Sequence, residues 1–76
     1  MQSDQQIDLS GLRCPLPILR AKKALAKMNS GEVLQVLATD PGAPKDFEAF
    51  CRQTGNELLS AAEAPEGVFT LILRRK

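Results

Sequence analysis

The chain has 76 residues and a net charge of +1, from ten Lys and Arg against nine Asp and Glu. That is room for one domain with a small core, and too little positive charge to point to direct nucleic-acid binding. The chain has no histidine, which excludes Cys-His and Ser-His-Asp catalysis and His-ligated metal sites within it.

The domain is expected to span residues 1–76, with the polar residues 1–5 flexible. No basic stretch followed by an apolar one marks a secretory signal, and no apolar run approaches the about 18 residues that cross a membrane. The reading is a cytoplasmic protein whose two cysteines, Cys14 and Cys51, stay reduced. Residues 6–9 alternate polar and apolar and predict a first strand, broken by Ser10-Gly11. From Pro15 the pattern is helical. Ile18, Ala21, Leu25 and Met28 make an apolar stripe, Arg20, Lys23 and Lys27 a basic one, and Asn29-Ser30-Gly31 a stop.

Residues 32–39 are rich in Val and Leu and predict a buried strand. Asp40-Pro41-Gly42-Ala43-Pro44 is turn chemistry that leads into a second helix. There Phe47, Phe50, Cys51 and Thr54 share a face, and Gly55 ends the helix. Two more strands, 57–63 and 68–74, flank a turn at 64–67. The order predicts an α+β fold, a two-layer sandwich in the order βαβαββ. Two helices cover one face of a four-stranded mixed sheet, with a parallel first unit and an antiparallel last pair. Leu37, Leu58 and Ile72 are candidates for the uncovered face, as a partner surface or as scattered surface apolar residues.

Cys14 is the candidate functional residue. With a helix starting at Pro15, Cys14 takes the N-cap position. Proline suits the first helical residue, and Pro17 falls within the first turn, where N–H groups lack intrahelical partners anyway. Pro15 and Pro17 therefore stiffen the turn that presents the thiol. The positive end of the helix and the neighbouring Arg13, with Arg20 a turn on, favour an anionic sulfur. A small apolar residue at a cap is the alternative, but cysteine caps poorly. Cys51, beside Phe50 on an apolar face, reads as a packed core thiol. Arg20, Lys23 and Lys27 form either a solvated helix face or a docking surface for an acidic partner.

The stretch Asp8-Leu9-Ser10-Gly11-Leu12-Arg13-Cys14-Pro15-Leu16-Pro17 resembles the signature of the TusA/SirA-type sulfur-carrier family, whose hallmark is Cys-Pro-x-Pro opening the first helix. The resemblance continues through Gly31-Glu32-Val33-Leu34, Thr39-Asp40-Pro41, Asp46 and Gly55-Asn56-Glu57-Leu58, and so covers nearly the whole chain. The chain departs from the family pattern at Thr39, where many members have Asp, and at Asn56, where many have His. The resemblance implies that Cys14 accepts sulfane sulfur as a persulfide from a cysteine desulfurase or rhodanese-type donor. The sulfur then passes to a downstream relay protein, as in 2-thiolation of the tRNA wobble uridine. No cofactor, no metal, no membrane and no direct nucleic-acid contact are expected, and a carrier that visits two partners is expected to be a monomer. Taking part in such relays is a different role from that of a self-contained enzyme. Two other functions compete: a redox-active thiol, and a non-covalent regulator acting through its basic helix or open sheet face.

Overall fold

The computed structural model describes residues 3–76. The elements run β1 (Gln5–Leu9), α1 (Leu16–Ala26), β2 (Val33–Ala38), α2 (Ala43–Thr54), β3 (Glu57–Glu63) and β4 (Phe69–Arg74). The four strands form one sheet in the order β1-β2-β4-β3. β1 and β2 are parallel, while β2–β4 and β3–β4 are antiparallel. This is the expected two-layer arrangement.

The burial pattern explains the layering. Along β2, Leu34, Val36 and Ala38 are buried, while Val33, Gln35 and Leu37 are half-buried. Side chains of a strand alternate between faces, so the first set meets the helices. On β4, Leu71 and Leu73 do the same. Ala21 and Leu25 of α1 and Phe47, Phe50 and Cys51 of α2 close the core from the other side. Phe47 and Phe50 pack edge to face, with ring centroids 6.3 Å apart. Met28, expected inside the first helix, is buried just beyond its end.

Several expectations are corrected. Residues 1 and 2 lie outside the described residues, but Asp4 and Gln5 do not hang free. The Asp4 N–H donates to the Val33 carbonyl at 2.8 Å, and Gln5 begins β1 opposite Leu34. Leu58 does not face the open side of the sheet. It pairs with Leu73 and packs against the core, and the register shifts between Leu58 and Ser60. This bulge lets the strand change phase, which simple alternation from the sequence does not show. Leu37 and Ile72 are left half-buried. Among the described residues, no helix is long and apolar enough to cross a membrane.

Candidate functional site

The parallel pairing of β1 and β2 brings their C-terminal ends to one end of the molecule. The loop after each strand leads into the start of a helix, so the segments 10–15 and 39–42 meet there. The Gly11 N–H donates to Thr39 Oγ1 at 2.8 Å. Gly11 has a φ of +84°, a left-handed conformation that glycine adopts without strain. The turn is braced locally, with the Ser10 N–H donating to Asp8 Oδ1 at 3.0 Å.

Cys14 is exposed and free at this end. Its backbone N–H donates to Asp40 Oδ2 at 3.0 Å, and the other oxygen of that carboxylate accepts the Gly42 N–H at 3.2 Å. One aspartate from the loop after β2 thus ties the backbone of Cys14 to the start of α2. The carboxylate of Asp46, in the first turn of α2, lies near the thiol and acts on it.

That surrounding corrects the expected electrostatics. Helix α1 starts at Leu16 and its N-cap is Pro15, so Cys14 stands one residue before the cap. The Cys14–Pro15 peptide bond is cis. The Cys14 pKa is raised, first by the hydrogen bond to Asp46, then by partial desolvation and by the negative charges of Asp46 and Asp40. The nearby carboxylates thus favour the protonated thiol, opposite in sign to what the helix end and Arg13 suggested.

The other predicted residues divide into two places. Arg13 lines a cleft with Gly11, Leu12, Thr39, Asp40 and Pro41 beside the thiol. Pro15 caps α1, and Pro17 is buried in its first turn, anchoring the segment that carries Cys14. Arg20, Lys23 and Lys27 lie apart from the thiol, along a groove between α1 and β1. Cys51 is buried, and burial pushes its thiol up to about 11.

Reading the residues one by one left Asp40 and Asp46 unassigned to the site. The signal that finds them is topological: parallel strands put the loops after β1 and β2 side by side. A second omission is Leu16 and Leu19, large apolar residues of α1 that remain 45% and 53% exposed close to Cys14 in the chain. They give the start of α1 an exposed apolar surface of the kind that docking surfaces bury.

Comparison with known proteins agrees with this fold. A family model described as Sulfurtransferase TusA matches residues 5–75. Two Neisseria meningitidis chains, provisionally named sulfur carriers, are 65% identical over 74 residues, covering 97% of this chain and 99% of each relative. The Sulfur carrier protein TusA of Allochromatium vinosum is 58% identical over 72 residues, covering 95% of this chain and 93% of its own. The crystal structure of a SirA-like protein from Desulfitobacterium hafniense superposes with a TM-score of 0.82 at 30% identity, covering 92% of this chain and 95% of that one. With the matching sequence spread over nearly its whole length and the same two-layer fold beneath it, the chain belongs to the TusA family of sulfur carrier proteins.

Proposed function

We propose that this protein carries sulfur as a persulfide on Cys14, between a cysteine desulfurase or rhodanese-type donor and a downstream relay protein. The observation that carries the reading is the placement of Cys14, exposed on a braced loop that leads into a helix whose first turn leaves Leu16 and Leu19 exposed. Family membership supports the same role.

The chemistry is exchange at sulfur. In the loading step the Cys14 thiolate attacks the terminal sulfur of the donor's persulfide. A new S–S bond forms on Cys14 as the donor's S–S bond breaks, and the donor leaves as a thiolate. In the second step an acceptor thiolate attacks the terminal sulfur on Cys14, and the Cys14 thiolate leaves. Neither step is a net oxidation. The thiolate needed for loading is disfavoured at rest, because Asp46 and Asp40 hold the thiol neutral. A partner that brings cations to the two carboxylates makes the nucleophile available inside the complex. The proton then lost from Cys14 returns when the sulfur is passed on. Arg13 stands at the cleft beside the thiol, and Pro15 and Pro17 hold the loop that presents it.

We place the protein in the cytoplasm as a monomeric carrier. Its acceptor is a relay protein of the kind that feeds tRNA wobble-uridine thiolation. A peroxide-driven redox role is less well supported, since Cys51 is buried and offers no exposed resolving thiol.

The test is intact-mass measurement after incubation with a cysteine desulfurase and cysteine. The wild type is expected to gain the mass of one sulfur atom, removed by a reducing agent, and Cys14→Ser to gain none. Equal loading of Cys14→Ser would sink the reading. Full tRNA thiolation in cells that carry only Cys14→Ser would reject the tRNA route.

A further inference from the structure

β1 is an end strand of the sheet. One side of its backbone pairs with β2, and among the described residues the other side has no strand partner. The opposite edge, β3, is blunted by its bulge and by Glu57 and Glu63 at its ends. β1 has neither a bulge nor a proline. Exposed edges of this kind are templates for an added strand.

Alongside β1 runs a groove of about 410 Å³, lined by Ile7 and Leu9 of the strand and by Arg20, Lys23, Ala24 and Lys27 of α1. Ile7, Leu9 and Ala24 make its apolar floor. The three cations make one wall, and all are exposed. Among the described residues the ion pairs are Arg52–Glu48 and Arg74–Glu57, on other elements. One acid, Asp8, also lines the groove, and its carboxylate is engaged by the Ser10 N–H, so the three cations outnumber it. The groove thus combines a free strand edge, an apolar floor and three unpaired positive charges.

We propose that this groove receives an extended acidic segment of a partner protein, added as a further strand beside β1. Helix rise sets Arg20 and Lys27 about 10 Å apart along α1, with Lys23 between them. An extended segment advances about 3.3 Å per residue with alternate side chains on one face. Asp or Glu at every second position therefore meets the three cations over about five residues, while the backbone bonds to β1. A second copy of this chain is a poor occupant, because pairing two β1 edges brings two basic stripes together. Single-stranded nucleic acid fits poorly too. There is no Trp or Tyr, Phe47 and Phe50 are buried, and Phe69 packs against the core, so no stacking platform exists.

The proposal does not depend on the sulfur chemistry of Cys14. The groove ends where β1 runs into the loop that carries Cys14, so a segment seated there tethers its owner next to the thiol.

The test titrates the full-length ¹⁵N-labelled protein with a synthetic peptide of alternating Glu and Val, and with its Gln-Val counterpart. The Glu peptide is expected to bind at least about tenfold tighter than the Gln peptide, a difference that added salt erodes. Amide shifts and slowed hydrogen exchange should concentrate in β1 and α1. Reversing the charges in Arg20→Glu/Lys23→Glu/Lys27→Glu should abolish binding with an unchanged circular dichroism spectrum. Lys23→Gln alone should weaken it if the triple variant does not fold. Equal affinity of the two peptides, shifts confined to other surfaces, concentration-dependent dimerisation through β1, or tighter binding of a single-stranded oligonucleotide of equal charge would each overturn the proposal.

Discussion

Cys14 lies between opposing influences. The N-terminal end of α1 and Arg13 favour an anion, while Asp46 and Asp40 favour the neutral thiol, and the carboxylates prevail. The carboxylates act on the sulfur at close range, whereas Arg13 is exposed and solvated. Asp46→Asn removes a negative charge and weakens the acceptor, so the Cys14 pKa should fall. Alkylation by iodoacetamide at pH 7.5 should then speed up about threefold or more, with the midpoint of its pH–rate profile moved to lower pH. An unchanged midpoint would mean that Asp46 does not hold the thiol. Cys14 and its two prolines were legible from residue types alone. The sign of the field at Cys14 was not, because the deciding carboxylates are 26 and 32 positions away in the chain.

The helices end where the chain can satisfy their last carbonyls. α1 was expected to continue to Asn29-Ser30-Gly31, but it stops at Ala26. Part of the reason lies at the far end of the chain, where Arg75 Nε donates to the Leu25 carbonyl at 2.8 Å. A cation there also suits the negative end of the helix. Arg75→Ala should destabilise the fold by about 1.5–3 kcal/mol, the range for a lost hydrogen bond to a charged group, read as a lower urea midpoint. Arg75→Lys should recover part of the loss. α2 ends as its sequence indicates: Gly55 adopts φ +85° and its N–H donates to the Cys51 carbonyl at 2.9 Å. A local glycine signal is readable from sequence, and a cap reaching back 50 residues is not.

The two cysteines lie on different sides of the fold's main boundary, one exposed and one buried. Cys51 is raised from its ordinary 9.0 to about 11 by burial. A thiol whose folded pKa exceeds its unfolded one supports the fold fully below the unfolded value and loses that support as pH rises through the folded value. Stability should therefore fall between about pH 9 and 11, measured by urea denaturation, and Cys51→Ala should show a shallower fall. An identical pH dependence in the variant would remove Cys51 as its source. The alternation of Leu34, Val36 and Ala38, the stripe of Ala21 and Leu25, and the turn residues at 40–44 were enough to determine the layers and the element order. Each depends on neighbours in sequence, which is where periodicity and turn chemistry act. Pairing across the sheet decided the rest. It turned Leu58 toward the core, left the edge of β1 open beside the basic stripe, and carried Asp40 and Asp46 to Cys14. Those outcomes depend on contacts between residues far apart in the chain, which no local pattern encodes.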